Sequence, residues 1–394
     1  MRTIYASCFL TIVISSLIGC GSGSSESSGP QFKSASSSVR EITLPDPSCY
    51  ATNFNDNTEI LLECLNAPED GEVTNRMDIL QTDGSSREIY RTSGIYGRAP
   101  ISLANDGSAL MILWGPYQTD GSGSDNERSL ILGRGEPIVL PVTQGQTATA
   151  QSPNGEYISV SQPLSMELSY LRNLKSEIIS KAPDGVFVFE PYSINDSGDA
   201  VGYAAIGSEG TGFSTTAGYR VIKGRFELLS FASRPELGST IGKSINAAGD
   251  VLLEVDTGES AAFAIENPDP LPPVSYQTYT VTALAIFTTS EEFIEIAVPD
   301  KGKPASAIRL NNSGKVLGLT YIDSPYEPIY FVSEKDKQPI LVTSLIDLGI
   351  NEYVSLVSLN NRNELLITTS TYFPTADVQA SDKTSRPRTL IVKL

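Results

Sequence analysis

Apolar and polar positions along this chain fall into short alternating runs, and one phrase of nine residues keeps returning between them. It reads apolar residue, polar turn, Gly or Asn, then an apolar run. The clearest copies are Ile194–Gly202 and Leu310–Gly318; weaker ones start at Ile245 and Leu359, and relaxed versions at Phe54, Leu103 and Gln151. Asn, Asp and Gly tolerate the left-handed backbone of tight hairpin turns, and the flanking aliphatic and β-branched residues suit strands. Each copy therefore predicts a strand A, a tight turn and a strand B. No long amphipathic pattern competes.

The residues at the Gly position are Thr58, Gly107, Gly155, Gly198, Gly249, Gly314 and Asn363. Neighbours in that series differ by about 43 to 65 residues, close to one four-stranded blade each. The prediction is an all-β chain folded as a seven-bladed β-propeller of four-stranded antiparallel blades. In the fourth unit strand A ends at Ile194, with strands at Asp199–Ala205, Ala217–Lys223 and Arg225–Phe231. The second unit predicts Ala109–Trp114, Arg128–Leu132 and Pro137–Val142; the sixth, Lys315–Tyr321, Pro328–Ser333 and Pro339–Ser344. The third is weaker, with Met166–Arg172 and Ser176–Lys181, and the fifth carries an insert, Asn267–Tyr276, before a hairpin at Ala283–Val298.

The last unit stops early. After Glu364–Thr369 it offers only Arg388–Leu394. The missing outer strand has a candidate at the other end, Arg40–Leu44, whose Arg-Glu-Ile-Thr-Leu-Pro matches the outer-strand pattern Glu136–Pro141. Pairing the N- and C-terminal strands in one blade closes the ring and leaves few free edges.

Residues 1–19 read as a signal peptide: Arg2 near the start, the apolar stretch Phe9–Ile18, then Leu17-Ile18-Gly19-Cys20. That ending resembles the lipobox of bacterial lipoproteins. The resemblance implies cleavage before Cys20, a thioether diacylglycerol on its sulfur and acylation, palmitate included, of its amine. Several acyl chains on one residue anchor stably, since each buried methylene adds about 0.8 kcal/mol. Gly21 follows where many inner-membrane lipoproteins carry Asp, which by resemblance to Gram-negative sorting implies the outer membrane. Residues 20–38 then form the lipidated Cys and a Ser/Gly-rich flexible tether, and 39–394 the propeller.

Two cysteines are left for the folded domain. Cys49 and Cys64 lie symmetrically about the turn Asn55-Asp56-Asn57-Thr58, so a symmetric hairpin sets them face to face. An oxidising compartment lets them form a disulfide; the alternative is two buried free thiols.

The chain contains no histidine. Ser-His-Asp and Cys-His catalysis and His-based metal sites are thereby excluded. No nucleophile elbow, Walker loop or dinucleotide fingerprint is present. We therefore assign no catalytic residue and no metal ligand set, and expect a non-enzyme and no cofactor. Paired carboxylates acting on glycans are the enzymatic alternative. Calcium is the one ion weighed, at Asn195, Asp196 and Asp199 or at Asp120, Asp125 and Glu127, but neither set matches a calcium loop and the repeat does not preserve it. The net charge of −18, about −19 once Arg2 leaves with the leader, opposes nucleic acid and anionic lipid. Candidate contact residues are Trp114 and Tyr117, flanking the loop Gly115–Glu127, and Tyr276 and Tyr279 beside the proline-rich insert.

The phrase Ser193–Gly202 resembles the repeat of bacterial HAF-type proteins, I-N-x-x-G-x-V-V-G followed by an Ala-Phe strand, here Ala262-Phe263 after Ile245-Asn246 and Gly249. The likeness covers about Tyr192–Leu394. Earlier, Ser152-Pro153-Asn154-Gly155 resembles the turn of Tol-type propellers. Such families imply exported propeller-like proteins and bring no catalytic residues. The expectation is an envelope lipoprotein, anchored to a membrane by lipid, whose propeller binds or scaffolds a protein or glycan partner; a surface-exposed recognition protein is the rival class.

Overall fold

In the computed structural model, residues 38–66, 74–93, 96–116, 128–142, 146–161, 167–208, 212–229, 239–266, 274–321, 328–349, 352–371 and 387–394 are described. They form seven four-stranded antiparallel sheets. Strand β1 (Ser38–Ile42) comes first. Blade 1 follows as β2 (Cys49–Phe54), β3 (Ile60–Asn66), β4 (Thr74–Leu80) and β5 (Ser86–Ser93). Blade 2 is β6 (Tyr96–Leu103), β7 (Ala109–Pro116), β8 (Arg128–Leu132) and β9 (Ile138–Val139). Blade 3 is β10 (Thr147–Gln151), β11 (Tyr157–Ser161), β12 (Glu167–Arg172) and β13 (Lys175–Lys181). Blade 4 is β14 (Val186–Ile194), β15 (Ala200–Ser208), β16 (Gly212–Ile222) and β17 (Arg225–Leu229). Blade 5 is β18 (Thr240–Ile245), β19 (Val251–Glu266), β20 (Val274–Phe287) and β21 (Phe293–Ile296). Blade 6 is β22 (Ala305–Leu310), β23 (Val316–Thr320), β24 (Ile329–Ser333) and β25 (Ile340–Leu341), followed by a 3-10 turn at Val342–Leu345. Blade 7 is β26 (Glu352–Leu359), β27 (Glu364–Thr371) and β28 (Thr389–Lys393), completed by β1.

The seven-bladed propeller and its closure match the sequence expectation. Strand β1 pairs antiparallel with β28 from Ser38↔Lys393 to Ile42↔Thr389, two residues earlier at each end than the expected Arg40–Leu44. The weak third unit forms both of its expected outer strands. The fifth differs: β19 and β20 form one long hairpin, paired from Val251↔Phe287 out to Glu266↔Val274, and the described end of the insert, 274–276, belongs to β20. Only 267–273 lie outside the described residues.

Hydrophobic side chains bury between blades rather than within them. Each of the seven seams has its own apolar cluster: Leu61, Met77, Ile79 with Leu103, Met111 and Leu132 between blades 1 and 2, for example, and Leu366 and Ile391 with Ala51, Ile60 and Leu62 between blades 7 and 1. Blades sandwiched on both faces need apolar residues on both, which is why β11 is buried at every position. Among the described residues β1 carries little of this core. It is mostly exposed and contributes Ile42, joined by Leu44. Its main work is to cap the unpaired edge of β28.

The repeat phrase forms the A–B turn in every blade. All seven residues at its Gly position have positive φ, from 62° at Asn363 to 87° at Gly249, with Thr58 at 64°. The residue four places after the phrase's Asn returns its carbonyl to that Asn's N–H, as in Asn195 N–H to Asp199 at 2.9 Å. In five copies the Asn Oδ1 accepts two further N–H groups of its own turn; Asn55 takes those of Asn57 and Glu59, both at 3.0 Å. This is turn chemistry, as the sequence implied. The amide end does something else.

Candidate functional site: the axial cavity at the A–B turns

The Asn amide nitrogen reaches across to the next blade. Asn55 Nδ2 donates to the Ala104 carbonyl (2.9 Å), Asn195 to Asn246 (3.1 Å), Asn311 to Asn360 (3.1 Å), and Asn360 to Asn55 (3.3 Å). An Asp could make the turn but could not donate, which is the physical reason for Asn here. A second rung lies one residue on, where a turn N–H meets the side chain of the next turn. Asp56 N–H binds Asn105 Oδ1 (2.8 Å), Asn154 binds Asp196 (2.7 Å), Ala247 binds Asn312 (2.8 Å), Asn312 binds Asn361 (2.9 Å) and Asn361 binds Asp56 (2.8 Å). Between blades 2 and 3, Asn105 N–H meets the Pro153 carbonyl at 2.6 Å. Every seam thus has at least one turn-to-turn hydrogen bond, and the turns form a closed polar hoop.

Inside the hoop lies a cavity of about 60 Å³, lined by the ends of the A strands of blades 1 to 6. A β-bulge precedes its lining in each of those strands, at residues 52, 101, 149, 192, 243 and 308. Such bulges re-aim the following side chain. The residue after the bulge is Asn53, Ser102, Ala150, Ser193, Ser244 and Arg309 in turn, and all of these except Ala150 line the cavity. The members that line the cavity are small polar residues and one cation.

Arg309 and Asp56 supply the charges of the lining. Burial pushes the Asp56 carboxyl up, but hydrogen bonds from Asn361 and Asn105, with the field of Arg309, outweigh it and leave the pKa below the usual range. Asp56 is therefore ionised and already accepts Asn361 N–H, Asn361 Nδ2 (3.0 Å) and Asn105 Nδ2 (3.1 Å). Burial pulls the Arg309 guanidinium down, opposed by Asp56. A guanidinium stays protonated regardless. Among the described residues it has no ion pair and no hydrogen-bond acceptor.

Sequence reasoning missed Arg309. The signal was there: aligned on the phrase, the preceding residue is Asn53, Ser102, Ala150, Ser193, Ser244, Arg309 and Ser358, a column of small side chains with a single long cation. Three of the expected contact residues fall in described strands. Trp114 is in β7, paired with Gly97 near the B–C end of its blade, away from the A–B turns, and Tyr117 lies outside the described residues. Tyr276 and Tyr279 sit in β20 opposite Ala264 and Ala261; Tyr279 packs beside the small cluster of Ala261 and Val281. Of the four, Tyr279 has a described side chain, and it is not in the lining of the axial cavity.

Cys49 and Cys64 are paired across β2 and β3 and joined by a disulfide. Arg76 Nη2 lies 3.6 Å from both sulfurs and 3.1 Å from Asp46, which places the staple beside a half-buried ion pair. The oxygens once weighed for calcium point to separate tasks: Asp196 to Asn154 N–H, Asp199 to Lys223 N–H (2.7 Å) and Asn195 to its own turn. The loop 117–127, with Asp120, Asp125 and Glu127, and the leader and tether with Cys20 lie outside the described residues.

No protein-family model matches the chain, and no curated protein matches its sequence. Among solved structures it is similar to the β-propeller domain of the Trilobed protease from Pyrococcus furiosus, with a TM-score of 0.50 at 9% identity over 87% of this chain and 93% of that one. That domain is described as having an open velcro topology; here β1 closes the last blade. An oligogalacturonate lyase from Vibrio parahaemolyticus aligns at TM-score 0.44 and 11% identity over 91% of this chain and 98% of that one. An acylaminoacyl peptidase from Pyrococcus horikoshii aligns at 0.49 and 11%, over 82% of this chain and 49% of that one. Likeness at such identity reaches the fold and stops there: this chain is a seven-bladed β-propeller.

Proposed function

We propose that the protein is a lipid-anchored lipoprotein of the bacterial envelope whose propeller binds a protein or glycan partner on the face formed by the A–B turns. The observation that carries the binding role is the hydrogen-bonded hoop around a polar cavity. It fixes polar groups at the ring axis, and rigid placement of polar groups lowers the ordering cost of binding. The anchor and its outer-membrane destination rest on Leu17–Cys20 and Gly21 alone. Paired acids for glycan cleavage find no support at the axis, where the lining offers the single carboxylate of Asp56, already committed to three hydrogen bonds.

The test is capture of the tethered full-length protein from cross-linked envelopes. A specific protein or glycan should be recovered with the wild type. Recovery of nothing beyond the background of an untagged strain sinks the binding role. In the same cells, Cys20→Ala should abolish palmitate labelling and release the chain from the membrane fraction; retention of either overturns the anchor. Protease shaving of intact cells then separates a periplasmic from a surface-exposed propeller.

A further inference from the structure

Three polar groups on consecutive blades keep hydrogen-bonding capacity that the protein does not use. Ser193 Oγ of blade 4 accepts the Ile245 N–H at 3.4 Å, and Ser244 Oγ of blade 5 accepts the Leu310 N–H at 3.1 Å. Each hydroxyl therefore keeps its own hydrogen, and among the described residues neither donates it. Arg309 of blade 6 follows, with its guanidinium unpaired as described above. All three line the axial cavity.

The other side of the cavity is different. Ser102 Oγ donates to Gln151 Oε1 (3.1 Å), Gln151 Nε2 to Ser108 Oγ (2.8 Å), and Asn53 Nδ2 to the Ile101 carbonyl (3.2 Å). Those groups satisfy one another. The unused arc offers donors, two hydroxyl hydrogens and a guanidinium, beside the one lone pair left on each serine oxygen. A half-buried guanidinium without an acceptor is costly to keep, and its planar fork matches two oxygens of one carboxylate or phosphoryl group. Asp56 balances its charge from a distance, while its own oxygens accept three hydrogen bonds from Asn361 and Asn105. A volume of about 60 Å³ accommodates roughly four to six waters at the 10–15 Å³ each requires in this measure, hence one head group and not a whole sugar chain.

We infer that the axial cavity binds the oxyanion head group of a ligand, a carboxylate or a phosphoryl group, held by Arg309 with the hydroxyls of Ser193 and Ser244. This rests on the reading of the A–B turn face as the binding face. The rest of such a ligand would lie outside the hoop, over turns that the rungs hold still.

Thermal unfolding and calorimetric titration of the full-length chain test it, with sodium acetate and sodium phosphate as probes and sodium chloride at matched ionic strength as the reference. Acetate or phosphate should raise the unfolding temperature saturably, and whichever acts names the head group. Arg309→Gln should remove the rise or weaken binding at least about tenfold, the scale of one charge-assisted hydrogen bond. Arg309→Lys should restore part of it, since it keeps the charge without the fork. An equal response in wild type and Arg309→Gln overturns the site, as does the absence of a saturable response to both anions up to about 50 mM. Should Arg309→Gln fail to fold, Ser193→Ala with Ser244→Ala replaces it under the same criteria. An anion response without any captured envelope partner would refute the binding role and leave the site intact; a captured partner with no anion response would do the reverse.

Discussion

The seams between blades 6 and 7, 7 and 1, and 1 and 2 each carry both rungs, an Asn amide to the next carbonyl and a turn N–H to the next side chain. From blade 2 round to blade 6, no seam carries both rungs among the described residues; the bonds beside the single rung run through strand-end side chains, as in Ile245 N–H to Ser193 Oγ and Leu310 N–H to Ser244 Oγ. The doubled arc is centred on the seam beside the blade assembled from both ends of the chain. There a ring would open first, because β1 and β28 are held by strand pairing and not by a hairpin. The single-rung arc is where Ser193, Ser244 and Arg309 keep unused donors. Both rungs tighten the ring on one side; on the other, Ser193 and Ser244 each take one cross-seam N–H and keep their hydroxyl hydrogens.

The largest test removes the closure itself. Deleting 38–45 strips β1, exposes the β28 edge and takes away Ile42 and Leu44. The unfolding midpoint should fall by at least about 10 °C or the transition should lose its cooperativity, at roughly 2–4 °C per kcal/mol for a large domain. Deleting 23–34 should shift it by less than about 2 °C. Equal effects of the two deletions in a thermal scan would mean that β1 does not close the ring.

A smaller change compares the two arcs directly. Asn360 Nδ2 donates to Glu364 at 2.9 Å and, across the closing seam, to Asn55. Asn246 Nδ2 donates to Asp250 at 3.1 Å and, among the described residues, to no neighbouring blade. Both Oδ1 atoms accept two N–H groups of their own turn. Asn360→Ala should therefore cost about 2–4 kcal/mol and Asn246→Ala about 1 kcal/mol less, the difference being one buried hydrogen bond. Alanine itself suits the turn, since Ala104 holds this position in blade 2, where Asp106 receives the Ser108 N–H instead. Indistinguishable denaturant midpoints would deny the closing seam its extra strength.

Much of this was legible in the repeat, for a physical reason: turns need particular residues. The αL position alone aligned all seven blades, even through Thr58 and Asn363, where Gly is missing. The disulfide was legible too, although its argument contained two compensating errors. The hairpin is not symmetric about residues 55–58, because Phe54 pairs with Ile60 across a five-residue turn, which moves the axis on by half a residue. A bulge at residue 52 moves it back, and Cys49 again faces Cys64. Bulges leave no mark in composition, so neither the displacement nor its repetition in the other A strands could be read. The same bulges aim the cavity-lining column, which is why Arg309 passed unnoticed among strand residues while aromatics in loops drew the eye.

The smallest expected effect concerns Thr58, a β-branched residue held at φ 64° where five other blades use Gly. Left-handed backbone costs a residue with Cβ about 1–2 kcal/mol. Against that, Thr58 Oγ1 donates to Glu364 Oε2 at 3.0 Å and accepts from Arg362 at 3.3 Å, tying blade 1 to blade 7. A hydrogen bond to a charged group contributes about 1.5–3 kcal/mol, and Gly loses more backbone entropy on folding than Thr. Thr58→Gly should then relieve the strain and still destabilise the ring by about 1 kcal/mol. Thr58→Asn, which tolerates the same backbone and retains a donor, should fall between Gly and wild type. A glycine variant more stable than wild type in chemical denaturation would show that strain outweighs the bond. The doubled closure would then owe nothing to this side chain, and only the Asn amides and turn N–H groups would distinguish the two arcs.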